Sequence, residues 1–446
     1  MRGHLPKLIA LAGPVYGELL SGVIASVIGA VWVAGLGGAA VAAVTLAGTV
    51  ENLLLGLVLV VSSGTTVRLS HALGADDPVA AGRTARAAWR LCAAGSLALA
   101  VPGFLLREEI AGAFLDGPAA GLAADWFAVA FPAFGLFFAQ RVADELFKGS
   151  GDTRTPMRIA LLSNALLLVL DPLLILGPGP FPALGVTGGA VALTISRAVG
   201  LAVTLLLRSR RRLSAPRGGT GPSARRILAA GAPIGLDFTA RMGVGTAQLG
   251  LVASFGVPAV AGYGVGYRVL LIVTMAFYAV RQAAAIEAAR LTGAGDTAAL
   301  RSLGRDTARL AGGLGAGAAV LCATLAGPVT TLFTDDPAVA AQSVGFLRMA
   351  GLYLLPYALV VALGGVHQAT GAGRRLVVAA LLGLSLQLAA GSTLSGPLGV
   401  HGLWAGMTVG ALAQLGLMRL LTGRRRKGPE AAAVDAEQPF GRVGAR

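Results

Sequence analysis

Apolar residues run through this chain in long blocks, broken by short polar and mostly basic stretches. The blocks at 8–33, 91–106, 159–176 and 376–394 hold few or no charges. Each approaches the roughly 20 residues that cross hydrocarbon as a helix. The alternation of a β-barrel strand is absent, so the spans are predicted to be helical. Read end to end, the pattern predicts helices near 8–33, 41–67, 87–106, 120–143, 158–177, 185–207, 226–254, 258–285, 308–331, 341–365, 374–394 and 398–421. The first block exceeds the apolar region of a cleavable signal peptide, and similar blocks follow it, so it is read as helix one.

After the sixth predicted span, residues 208–226 turn rich in Arg, Pro, Gly and Ser, the composition of a connection. The expected division is an N-terminal six-helix lobe at 1–207, a cytoplasmic linker at 208–225, a C-terminal six-helix lobe at 226–421 and a disordered polar tail at 422–446. The lobes repeat. A shift of 219 positions sets Pro14 on Pro233, Glu18 on Asp237, Gly37 on Gly256, Gly74 on Gly293, and Asp116 and Pro118 on Asp335 and Pro337. Nearly the same shift sets Gly149, Gly151 and Arg154 on Ala369, Gly371 and Arg374, and Leu184-Gly-Val186 recurs as Leu398-Gly-Val400. With an even number of spans per half, both halves enter from one face and the repeats are parallel, related by an axis along the membrane normal. The fold expected is an all-α polytopic membrane protein: twelve transmembrane helices in two pseudo-symmetric six-helix bundles around a central cleft that can open to either face.

Composition agrees. Hydrophobic residues make up 55% and charged residues 13%, against about 25% charged in soluble domains, and the mean hydropathy is +0.75. The 65 glycines suit membrane helices whose backbones approach closely. A net charge of +15 would permit nucleic-acid binding, but the placement of the charges argues against it. Basic segments at 68–90, 141–158, 208–226, 281–309, 374–375 and 419–427 alternate with neutral loops at 34–40, 177–184 and 395–399 or acidic ones bearing Glu108, Glu109, Asp116, Asp335 and Asp336. That alternation is the positive-inside pattern. It places both termini in the cytoplasm of a multi-pass inner (plasma) membrane protein. Cys92 and Cys322 lie in apolar runs with no pairing or metal spacing and are expected to be inert packing residues. His4, His71, His367 and His401 form no ligand cluster, and no nucleophile elbow or P-loop is present. The expectation is a protein that is not an enzyme and needs neither metal nor cofactor.

Several stretches carry a family likeness. AVAAVTL at 40–46, running without a gap to SGTT at 63–66 and LGA at 73–75, resembles the second helix of multidrug and toxic compound extrusion (MATE) transporters. KGSGDTRTP at 148–156 is similar to that family's loop between helices four and five, and LDPLLI at 170–175 and LGVTGGA at 184–190 to its helix five and the start of helix six. The likeness covers nearly all of 8–421. It implies a secondary antiporter that expels organic compounds in exchange for protons or Na+. This chain also departs from the family pattern. The helix-one acid of prokaryotic members falls at Gly29, the acid used by Na+-linked members falls at Arg241, and the helix-ten acid falls near Ala358. Asp171 matches the helix-five acid of the proton-linked branch and Thr194 its polar partner in helix six, while the Asn one turn before that acid is replaced by Leu167.

Independently of any likeness, charges inside lipid-length spans are candidates for function, since each costs on the order of 2.5–3.5 kcal/mol at the bilayer centre. Glu18, Glu51 and Asp237 fall roughly 15–17 Å into their helices, and Asp171 lies somewhat toward the outer leaflet. A carboxylic acid in a low-dielectric cleft holds a proton more readily than in water. One carboxyl can then serve H+ and a cationic substrate in turn. Asp171 is expected to do so, with Glu18 standing in for the acid missing at Gly29. Each acid follows or precedes a proline, Pro14 or Pro172, so a local structural role is the alternative. Asp237 and Arg241, spaced i,i+4, are expected to pair, as a structural lock or as a relay or anion contact. Glu51 has no evident partner. Asp144, Glu145 and Lys148 are expected at a cytoplasmic helix end as a solvated or inter-loop salt-bridge cluster, and Asp77 to Arg90 as a surface amphipathic helix. Among the aromatics, Tyr267 and Tyr278 are the cleft candidates for cation–π contact, with Trp32, Tyr263, Tyr353 and Tyr357 behind them.

The function these features favour is a proton-coupled (or Na+-coupled) exporter of cationic or amphipathic organic compounds, drugs or endogenous metabolites. It would work by alternating access in the bilayer, as a monomer and without nucleic acid. The alternative is a lipid-linked-precursor flippase of the same wider superfamily, whose members tend to carry a basic cluster in the cleft.

Overall fold

The computed structural model describes residues 3–179, 182–210 and 223–423. Among them the chain forms thirteen helices and no strand. The N-terminal lobe holds α1 (Leu5–Ala34), α2 (Gly38–Gly74), α3 (Pro78–Leu105), the six-residue α4 (Arg107–Gly112), α5 (Gly117–Gly149), α6 (Arg154–Leu176) and α7 (Gly185–Arg210). The C-terminal lobe holds α8 (Ser223–Ala253), α9 (Val257–Gly293), α10 (Thr297–Thr330), α11 (Pro337–Ala369), α12 (Gly373–Leu398) and α13 (Val400–Gly423). Eleven of the twelve long helices are apolar enough to cross a membrane by composition alone. The twelfth, α8, carries Asp237 and Arg241 at mid-helix. The result is twelve transmembrane helices in two six-helix bundles around a central cleft.

The repeat is visible in local chemistry. Asp77 caps α3 by accepting from the Ala80 N–H, and Asp296 caps α10 by accepting from the Ala299 N–H, both at 2.8 Å. Gly151 and Gly371, each one step past the turn that ends a long helix, take φ of 92° and 80°, a region that disfavours side chains. At the end of the molecule bearing the basic loops, the lobes cross near the pseudo-axis. A side chain on Gly74 would strike the Arg290 carbonyl, and one on Gly293 would strike the His71 carbonyl.

The inter-lobe bonds cluster at this basic end. Lys7 Nζ lies 2.6 Å from Glu287 Oε2, the His4 N–H donates to Asp306 Oδ2 at 2.7 Å, and Gln282 Nε2 reaches both oxygens of Glu145 at 3.0 Å. Toward the opposite end the core around Val33, Ala43, Phe127 and Ile175 is built from the N-terminal lobe alone.

Three expectations need correction. Asp144, Glu145 and Lys148 are not solvated: they are 7%, 6% and 2% exposed, because α5 runs on to Gly149 and its last turns pack against Thr66, Leu69 and Ser70 of α2 and Glu18 of α1, and they form a salt-bridge cluster there. Residues Asp77 to Arg90 are no separate surface helix but the first half of α3. Arg281 and Arg141, expected at the edges of basic loops, lie inside α9 and α5, since these helices extend well past the bilayer-length apolar core toward the basic end. Of the expected linker, residues 211–222 lie outside the described residues, as do residues 424–446 of the expected tail.

Candidate functional site

Asp171 lies in α6 directly before Pro172, which takes an N–H out of the helix ladder. Its side chain is directed at α1. The Oδ2 oxygen lies 3.2 Å from where a Cβ on Gly29 would stand. The carboxyl thus occupies the space vacated by the missing helix-one acid. Asp171 is 5% exposed, and among the described residues no donor or base is recorded against its carboxyl. Thr194 is not turned toward it: its hydroxyl donates to the Ala190 carbonyl of its own helix at 2.8 Å.

Glu18 is held differently. Its Oε1 lies 2.9 Å from Lys148 Nζ and 3.7 Å from Arg141. Lys148 also meets Glu145 at 3.1 Å, whose other oxygen accepts from the Thr66 hydroxyl. Asp144 completes the group, taking a bond from Gln140 at 2.8 Å. Three acids and two bases therefore converge where α1 and α5 meet, with Gln282 of the opposite lobe closing on Glu145. The structure does not bring Glu18 and Asp171 together. Ser21, one turn after Glu18, instead accepts from Asn164 on α6.

Glu51, which offered no partner in the sequence, meets Arg197 at 3.4 Å and receives the Trp126 indole N–H at 3.4 Å. The Arg197 guanidinium stacks 4.4 Å from the Phe137 ring centre. The pair opens a groove walled by Phe127, Phe131, Phe134 and Phe137, a surface of the kind that flat organic cations favour.

In the C-terminal lobe the expected Asp237–Arg241 pair forms, at 3.0 Å. Arg281 joins it from α9, 3.2 Å from Asp237 Oδ2. Arg241 stacks 5.2 Å from the Tyr357 ring centre, and Tyr278 shares a hydroxyl–hydroxyl bond of 3.0 Å with Tyr357, itself stacked on Tyr353. Tyr278 is therefore part of the arginine cluster. Tyr267, three turns back along α9, is 38% exposed and leans on Tyr263, which stacks on Trp404. Arg141, Arg197 and Arg281 join the candidate site without having stood out in the sequence, and Lys148 joins it from the expected helix-end cluster. The one signal for them was a base lying within or beside an apolar run.

The family model described as MatE matches residues 14–173 and 233–391, and Pro14 and Pro233, the pair that opens the internal repeat, begin the two stretches. A probable multidrug resistance protein NorM of Deinococcus radiodurans is 29% identical to this chain, covering 95% of it and 96% of the relative. A solved MATE family transporter of the MOP superfamily in an outward-facing conformation superposes with a TM-score of 0.88 at 19% identity, over 98% of this chain and 97% of the other. The Vibrio cholerae MATE transporter VcmN in its bent form gives 0.86 at 20% identity, over 95% and 97%.

Proposed function

The chain belongs to the MatE family of multidrug and toxic compound extrusion transporters, and from that premise we propose that it is a proton-coupled antiporter of the inner membrane, exporting cationic or amphipathic organic compounds by alternating access. The observation that carries this reading is Asp171, a buried carboxyl with no recorded counter-charge, facing the bare backbone of Gly29. Unpaired ionisable groups within a span are retained at a cost. Neutral when protonated, the carboxyl is tolerated in hydrocarbon surroundings; ionised, it attracts a cation. A proton bound from outside is released as cationic cargo arrives from the cytoplasm. The inter-lobe bonds at the basic end support a state closed there and open opposite, with the termini on the cytoplasmic side.

Transport of a rhodamine ethyl ester into everted vesicles tests this. The intact protein is expected to concentrate the dye when a proton gradient is imposed and to stop on addition of a protonophore. Asp171→Asn is expected to bind the cationic dye more weakly and not to concentrate it. Undiminished gradient-driven uptake by that variant ends the reading, and uptake driven by a Na+ gradient alone moves the coupling to Na+.

A further inference from the structure

The two lobes repeat in backbone but not in charge. Around Glu18 the N-terminal lobe gathers Asp144 and Glu145 against Arg141 and Lys148, an excess of one carboxyl. Around Asp237 the C-terminal lobe gathers Arg241 and Arg281, an excess of one guanidinium. The left-handed glycines Gly151 and Gly371 fix the register between α5 and α11, which sets Asp144 on Gly364 and Glu145 on Gly365. The acids that balance the first cluster are thus glycines in the second. Gly364 faces Arg281: a Cβ there would stand 4.0 Å from the guanidinium carbon and Nε. Gly365 lies against the Arg281 backbone and has no room for a side chain.

Asp237 cannot satisfy both arginines. Arg241 donates to Asp237 Oδ1 and to Gln414 Oε1, and Arg281 reaches Asp237 through one terminal nitrogen. The Nε of Arg281 is buried and donates to no atom of the described residues. Both side chains are 12% exposed, so one positive charge is held with little water and no counter-ion among the described residues. An uncompensated buried charge of this kind is strongly unfavourable. The cluster borders a partly open cavity whose lining includes Asp237, Arg241, Arg281, Gly364, Gln368 and Gln414. Its enclosed part accepts a group of only a few atoms. Planar guanidinium forks match carboxylate and phosphate oxygens.

We propose that Arg241 and Arg281 form an anion site that takes a carboxylate or phosphate group of the exported molecule, beside Gly364, where the N-terminal lobe carries an acid of its own. The inference rests on the exporter reading and narrows it: preferred cargo carries an anionic group as well as an apolar or cationic body.

The probes are the rhodamine ethyl ester and its free acid, which share one cationic ring system and differ by a carboxylate. Their affinities are measured by fluorescence anisotropy on the full-length protein in phosphatidylcholine nanodiscs. The acid is expected to bind at least about tenfold more tightly than the ester, the worth of one charge-assisted hydrogen bond. That ratio is expected to fall to about one in Arg281→Gln and to stay above one in Arg281→Lys. Gly364→Asp supplies the missing carboxylate from the protein, so it is expected to abolish the ratio while raising thermal stability, and it decides the matter if Arg281→Gln does not fold. A ratio near one in the intact protein, or one that survives in Gly364→Asp or in folded Arg281→Gln, overturns the site.

Further arms separate the possible occupants. Loss of the ratio when phosphatidylglycerol replaces part of the phosphatidylcholine makes the occupant a lipid headgroup and overturns the assignment to cargo. Arg281-dependent thermal protection by inorganic phosphate over chloride at equal ionic strength, without preference for the acid, makes it a free anion and does the same. If neither dye binds, the exporter reading loses its support, and the phosphate measurement alone decides the site: protection lost in Arg281→Gln upholds it, and no protection overturns it.

Discussion

Asp171 and Asp237 are the same residue type, 5% and 9% exposed, and their surroundings give them opposite duties. Asp237 holds two guanidiniums together, and its loss would leave both buried without a counter-ion. Asp237→Asn is therefore expected to destabilise the protein by about 3–5 kcal/mol, the usual cost of breaking a buried charge network from one side. Asp171→Asn removes no recorded bond and is expected to change stability by less than ~0.5 kcal/mol while abolishing coupled transport. Cys92 and Cys322 are buried and free, one in each lobe, so a thiol-reactive fluorophore followed during heating reports the unfolding of both. Equal melting of Asp237→Asn and the intact protein would show that the arginines are held by something else. Both acids were legible in the sequence because a carboxylate in a lipid-length run stands out. Arg241, one turn from Asp237, was legible as its partner; partners distant along the chain were not. Arg281 lies 44 positions from Asp237 and reads as the first residue of a basic loop, and Glu51 meets Arg197 from 146 positions away. Only packing brings such pairs together.

Helices were legible as elements, because each apolar block is as long as a bilayer is thick, but their ends were not. At the basic end the last turns of α5 and α9 carry charges yet are buried, α5 against α1 and α2 of its own lobe and α9 against the other lobe, so the polarity that usually marks a helix end marks a packed contact here. The seam of α2 with α8 shows what else composition conceals. A side chain on Gly231 would overlap the Val60 carbonyl, and one on Gly64 would overlap the Ile227 carbonyl; these backbones touch directly. At the corresponding positions of the α1 and α9 pair stand Ala12 and Ala283, so the second seam does not depend on bare backbone at these positions. Nothing distinguishes Gly64 or Gly231 from the other glycines in the sequence, since their demand for a bare backbone arises from a helix far away along the chain. Gly231→Ala is expected to cost about 1–3 kcal/mol by overpacking. Gly243→Ala, on the same helix with open space around it, is expected to be neutral or to stabilise by up to about 1 kcal/mol. Thermal unfolding in detergent compares the two, and an unaffected Gly231→Ala would mean that the seam is loose.

For the whole molecule, alternating access requires that the bonds joining the lobes at the basic end break in every cycle. They are few and polar. Lys7 is 46% exposed where it meets Glu287, and an ion pair so open to water contributes only ~0–1 kcal/mol. Gln282, on the same helix as Glu287, adds a neutral-to-charged contact to Glu145. Contacts of this strength close the end without locking it, as a transporter needs if a proton or a cargo molecule is to shift the balance between states. A covalent link in their place should therefore stop transport without unfolding the protein. With Cys92 and Cys322 replaced by Ala, cysteines at Lys7 and Glu287 joined by a short bifunctional methanethiosulfonate are expected to abolish gradient-driven dye uptake, and reductant is expected to restore it. Before linking, the double-cysteine protein is expected to transport, because the pair it loses contributes little. Transport that continues at full rate through the linked protein would mean that the basic end does not open, and that cargo leaves by movement within a single lobe.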